Sequence, residues 1–248
     1  MGKLLKFEFR KILTSKYFYI ITAVSVVYAI LQCWALGETQ KIAQEIFGGS
    51  GDVNTYKIVK VTLAGIYDTL IAIFLAIFAT SEVSNGTDKN IFGKGYSRET
   101  VYLSKYIVSL VSAFAMAIIT LLAAFIYGAF SFGITKDIGE SVITVILGQA
   151  CGILAMHALY FVLSYTIGKI GPAIALNIVL PLVVTLVLML IDTLAKMETS
   201  KYWISSLFTS FTGYAESGDA LVNILVLLAY AVVFAVAGLF ISQIKESK

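Results

Sequence analysis

Charge is scarce in this sequence. Aspartate, glutamate, lysine and arginine make up 13% of its 248 residues, where a soluble domain carries about a quarter. With 59% apolar residues and a mean hydropathy of +0.90, that shortage excludes an ordinary soluble globular protein. The only two cysteines, Cys33 and Cys151, both lie inside apolar runs and offer no disulfide framework. His157 is the only histidine, so neither a zinc-type Cys/His spacing nor H-E-x-x-H can be assembled, and no metal site is expected. The phosphate-cradling pattern G-x-x-x-x-G-K-[ST] is missing, and Gly93-Lys94-Gly95 is too short to stand in for it. The paired-glutamate signature of prenyl-protease relatives is missing too. A net charge of +3 gives no support to nucleic-acid binding. No enzyme and no cofactor site can be read from this chain.

What it has instead is six apolar runs, at 17–36, 61–80, 106–130, 143–167, 172–191 and 221–241. Each approaches the length of about 20 residues that crosses a bilayer core as a helix. The first is too long for a signal-peptide core and has no small-x-small site after it, so it reads as a retained span. The fold class expected is an all-α polytopic membrane protein with six transmembrane helices. Ahead of them, residues 1–16 show helical periodicity: Leu5, Phe9, Ile12 and Leu13 fall on one side, with Lys3, Lys6 and Arg10 beside it. That pattern predicts an interfacial amphipathic helix, cationic toward headgroups and apolar toward the acyl boundary; a plain cytosolic stub is the alternative. Residues 37–60 read as a loop. In the long connection 192–220, Trp203, Leu207 and Phe211 recur at i, i+4 and i+8 beside Ile204 and Phe208, which predicts a helical outer loop with an aromatic edge.

An even number of spans puts both ends on one side, and charge says which. The segments on the side of the N-terminus hold twelve lysines and arginines, and the opposite loops hold six although they are longer in total. The positive-inside rule therefore places both termini, and the segment 81–105, in the cytoplasm.

That segment, SEVSNGTDKNIFGKGYSRETVYLSK, is one of the few long polar stretches. Asn85-Gly86 should end the arriving helix. Thr87 can cap a new turn with Asp88 at its positive end. Gly93 and Gly95 should break it again, and Ser97 should cap the next helix with Glu99 in its first turn. The order Glu82, Gly86-Thr87, Lys89, Gly95-Tyr96-Ser97-Arg98, Tyr102 and Lys105 resembles the first cytoplasmic loop of permeases of the ABC type-2 exporter family. Many members have a proline before the Ser-Arg pair, and this chain does not.

The resemblance implies a single permease domain over 1–248, with 81–105 as the coupling loop and 192–220 as the extracellular loop. It implies that Glu82, Gly86, Thr87, Asp88, Lys89, Phe92, Arg98 and Lys105 couple the chain to a cytosolic ABC ATPase subunit. ATP and magnesium would be bound by that separate partner. A second permease copy or a homologue would complete the assembly in the plasma membrane. The likeness is closest to small permeases of Gram-positive bacteria that export or clear antimicrobial and other amphipathic peptides.

Four residues inside the spans are candidates for a substrate path. Asp68 is the acidic residue of span two, which either lines a cavity or accepts structural hydrogen bonds. His157 on span four reads as a packing residue or a path residue. Pro181 should kink span five and free a carbonyl near Asn177, lining a path or simply packing. Gly148 and Gly152 form G-x-x-x-G, a close-approach surface for another helix of the same chain or of a second copy. Two other readings share the spans: an ion-coupled secondary transporter, for which only Asp68 and His157 could titrate in the membrane, and a non-transporting immunity or scaffold protein.

Overall fold

The computed structural model describes residues 1–47, 55–86, 91–133, 142–212 and 219–244. Helix α1 covers Gly2–Thr14, α2 Lys16–Phe47, α3 Thr55–Val61, α4 Ile66–Ser84 and α5 Arg98–Phe132. They are followed by α6 at Val142–Ile167, α7 at Ile170–Ala195, a 3-10 turn at Ser200–Tyr202, α8 at Ile204–Thr212 and α9 at Ala220–Ile244. No strand occurs among the described residues. Among the described residues six helices, α2, α4, α5, α6, α7 and α9, are long and apolar enough to cross a membrane. The chain is an all-helical, multi-pass membrane protein.

Two boundaries differ from the hydropathy reading. Helix α2 does not stop near residue 36 but runs to Phe47. The residues after Gly37 are polar but form helix readily, and Glu38 and Lys41 pair at 2.8 Å one turn apart. The helix runs on through Gly37, where the ring of Phe132, at the far end of α5, occupies the space a side chain would need; a Cβ there would lie 2.6 Å from its Cζ. The second difference is a break ahead of span two. Apolar residues run through 61–80, yet α3 ends at Val61 and α4 begins only at Ile66. Gly65 turns the chain between them at φ 81°, a conformation that costs little only without a Cβ.

Helices α4 and α6 form the centre: 61% of the most apolar stretch of each is buried, against 11% for α7 and α9. Tyr67, Ile71 and Leu75 of α4 meet Val108 and Met116 of α5 and Met156 and Phe161 of α6 in one core. Polar cross-links pin this core. Ser25 of α2 and Thr120 of α5 share a hydrogen bond of 2.7 Å, and the Tyr67 hydroxyl donates to the Ala113 carbonyl at 2.8 Å. In an apolar medium such bonds have little competition from water and fix which helix faces which.

Helix α1 joins α2 through a single non-helical residue, Ser15, in extended conformation. Its packed face is Leu4, Glu8 and Ile12, while Phe9 and Leu13 point outward. Of the side picked out by periodicity, Leu5, Phe9, Ile12 and Leu13, the bundle thus buries Ile12 and packs on Leu5 but leaves Phe9 and Leu13 exposed.

Candidate functional site

The polar segment between α4 and α5 starts from a buried ionic joint. Glu82 lies in the last turn of α4, and its carboxylate contacts the Lys105 ammonium of α5. Its other oxygen accepts from Lys11 of α1 at 2.9 Å. The side chains of Lys105 and Glu82 are only 2% and 7% exposed, so one carboxylate on α4 clasps cations from two other helices. Lys11 also lies 5.0 Å from the centre of the Phe78 ring, a geometry that adds cation–π attraction. Glu8, fully buried on α1, approaches Lys11 at 3.9 Å. Its carboxyl oxygens make no hydrogen bond among the described residues. Burial first, and the negative Glu82 nearby second, push the Glu8 carboxyl above the usual carboxylate range; Lys105 and Lys11 oppose that shift.

Beyond this joint the chain makes an elbow. Helix α4 stops at Ser84; Asn85 caps it, and Gly86 turns at φ 67° with its N–H on the Val83 carbonyl. Thr87, Asp88 and Lys89 lie outside the described residues. The chain is helical again at Ile91 and Phe92 and turns through Gly95 at φ 81°. Ser97 caps α5 by accepting from the Thr100 N–H at 3.3 Å. Arg98, half-buried, opens α5. Glu99 in the next position accepts from Gln243 of α9 at 2.9 Å. Of the residues expected to act together, the structure joins Glu82 and Lys105 directly and sets Gly86, Phe92 and Arg98 farther along the elbow.

The intramembrane candidates converge on α6. Asp68 is not mid-helix: it occupies the first turn of α4, where the helix dipole favours a carboxylate. It accepts from the Tyr160 hydroxyl at 2.5 Å. Asn177 of α7, buried, donates to Ser164 Oγ at 2.9 Å, to the Ala72 carbonyl at 3.1 Å and to the Tyr160 carbonyl at 3.4 Å. Its amide thereby spans α4, α6 and α7. Pro181 sits one turn beyond it, buried, in a helix that continues through the proline. His157 has a different partner, Ser109 of α5 at 2.8 Å, with the Tyr106 ring edge-on at 4.7 Å.

A family model described as ABC-2 family transporter protein matches residues 4–192. The chain belongs to the ABC-2 transporter family. Comparison with curated proteins gives no match. ABC-2 members are the permease component of ABC transporters and work with an ATPase subunit. The match takes in α1, the ionic joint, the elbow and most of α7, and ends before α8 and α9.

At the opposite end of this ABC-2 chain, the predicted aromatic helix forms as α8 and buries Ile204, Leu207, Phe208 and Phe211. The G-x-x-x-G pair of α6 is its seat: the Phe211 ring covers Gly148 and the Phe208 ring covers Gly152. Gln149 between them donates to the Lys60 carbonyl of α3 at 2.9 Å and to the Phe211 carbonyl of α8 at 3.4 Å. Asp192 closes the approach, accepting from the Thr199 and Ser200 N–H groups at 2.7 and 2.8 Å.

Sequence reasoning overlooked Glu8, Lys11, Tyr160 and Gln149. A signal existed for the first: Glu8 falls between Leu4 and Ile12 at four-residue spacing, a charge centred on an apolar stripe.

Proposed function

We propose that this chain is the membrane half of an ATP-driven exporter, paired with a second permease and driven by separate cytosolic ATPase subunits that bind ATP and magnesium. Both termini and the elbow face the cytoplasm, α1 lies in the inner membrane interface, and α8 caps the outer side. The substrates are amphipathic molecules, antimicrobial peptides foremost, which suit spans rich in Phe, Leu and Met with few charges. The chain itself carries out no chemistry.

One observation carries this reading. Glu82, Lys105 and Lys11 bind α4, α5 and α1 into a single unit at the base of the elbow. A push by the ATPase on the turn that includes Phe92 would therefore move three helices together rather than bending one loop. Such rigid-body transmission into packed helices is a known way to convert a local event into a rearrangement at a distance. Asp68, His157, Asn177 and Pro181 lie along the helices that would have to rearrange.

The test is a purified complex of permease and ATPase in proteoliposomes, with a cationic amphipathic peptide as the transported probe. Charge reversal at Lys89 and Arg98 should leave basal hydrolysis in place and abolish its stimulation by the peptide. Peptide-stimulated hydrolysis that persists in the double variant, with the ATPase still bound, would overturn the reading.

A further inference from the structure

Asp68 has no cation to answer it among the described residues. Glu82 has two lysines, Glu38 and Glu198 have one each, and Asp192 takes two backbone N–H groups. Asp68 accepts from the Tyr160 hydroxyl through Oδ1 and forms no ion pair among the described residues. The three helices that meet here, α4, α6 and α7, contain no lysine or arginine. A carboxylate drawn out of water without a counter-ion is costly at membrane depth, and a cation that docks against it offsets that cost.

The same junction is short of donors as well as of positive charge. One turn beyond Asp68 on α4 is Ala72, whose carbonyl takes an N–H of the Asn177 amide. That amide donates through Nδ2 to three acceptors, while its Oδ1 is buried and accepts nothing among the described residues. The backbone carbonyl of Asn177 loses its regular donor too, because Pro181, four residues on, has no N–H. Buried acceptors without donors are rare in folded proteins. Tyr160 links the two places: its hydroxyl serves Asp68 and its carbonyl serves Asn177. Asp68 can also be reached. It is only partly buried, and Gly65, three residues before it, is exposed at the break between α3 and α4.

We infer that Asp68 is the receptor for an ammonium group of the transported molecule, with Asn177 offering further acceptors one turn along. An ammonium brings one positive charge and three N–H donors, the two things this junction lacks. The cargo is then a cationic amphipath, its charge met by one carboxylate set among apolar spans. The inference rests on the proposed exporter function and names the chemical group by which the cargo is recognised.

The test uses the permease–ATPase complex in proteoliposomes of neutral phosphatidylcholine. Two probes are compared: a lysine-bearing amphipathic peptide, and the same peptide with every amine acetylated, which removes the charge. The readout is the concentration of each that half-stimulates ATP hydrolysis. Wild type should respond to the charged peptide at an about tenfold lower concentration. Asp68→Asn, which keeps an oxygen for Tyr160, should erase that preference by weakening the response to the charged peptide alone. Asp68→Glu, which keeps the charge, should retain most of it. Equal responses of wild type to the two peptides would overturn the inference and leave the exporter reading intact, whether or not the variants assemble. An undiminished preference in Asp68→Asn would overturn it in the same way, as would equal losses in Asp68→Asn and Asp68→Glu. A wild-type complex that neither peptide stimulates would overturn the exporter reading, and the ammonium receptor with it.

Discussion

The ring of Phe211 fills the place where a side chain at Gly148 would be. A Cβ added at Gly148 would run into ring carbons Cδ1 and Cγ, and one at Gly152 would meet the Phe208 ring in the same way. The small-residue pair on α6 therefore serves a short helix of its own chain, with two aromatic knobs seated in two glycine gaps.

Gly148→Ala and Gly152→Ala should each destabilise the fold by about 1–3 kcal/mol, the usual cost of overpacking a filled site. The measurements are thermal unfolding in detergent and protease cleavage within 192–220. Cleavage should accelerate if α8 is lifted from its seat; a variant with wild-type Tm and cleavage rate would show that α8 is not held there.

Glu82→Gln should be among the most damaging single changes, costing about 3–5 kcal/mol, because it leaves the buried Lys105 ammonium without its counter-ion. Lys11→Ala removes a cation whose side chain is 26% exposed and should cost about 1 kcal/mol or less. Replacing Glu82 and Lys105 together by leucine should be milder than Glu82→Gln alone. Unfolding midpoints for the three variants give the order.

Glu8 should make stability fall with rising pH. Its carboxyl is raised above the value of 4.5 it has in an unfolded chain, so over the range from there up to its folded value the native state holds a proton that the unfolded state has released. Stability from this group is full below the unfolded value and is lost as pH climbs through the folded one. Glu8→Gln, which keeps the shape without the titration, should flatten the pH dependence of Tm in that range. An unchanged slope would assign the proton elsewhere.

Asn177→Leu should loosen the meeting of α4, α6 and α7. Hydrogen bonds between helices in a membrane contribute about 0.6 kcal/mol on average and about 1.7 at most. Asn177 makes contacts to three acceptors on two neighbouring helices, so a loss of about 1–2 kcal/mol is expected. Tyr160→Phe, which removes the donor to Asp68, should cost a similar amount, both read as unfolding midpoints.

The number of spans and the two ends of the elbow were legible in the sequence, because each rests on neighbours along the chain: apolar run length, an Asn-Gly stop, a serine cap. What was hidden depends on residues far apart. Nothing local to Lys11 announces that it meets Glu82, 71 residues later. The true start of α4 was masked because Val61, Thr62 and Leu63 are as hydrophobic as a span, and only the positive φ of Gly65 separates them from it. The continuation of α2 to Phe47 was hidden by its polarity, although Glu, Gln, Lys and Ala there favour helix.

Ser15 leaves almost no slack between α1 and α2. One extended residue reaches at most about 3.6 Å, and the Tyr19 hydroxyl ties the corner down by donating to the Leu13 carbonyl at 2.8 Å. The two helices are set like the arm and shaft of a crank. Any swing of the short arm must turn or tilt the long shaft, so the first membrane helix inherits whatever motion reaches the amino terminus.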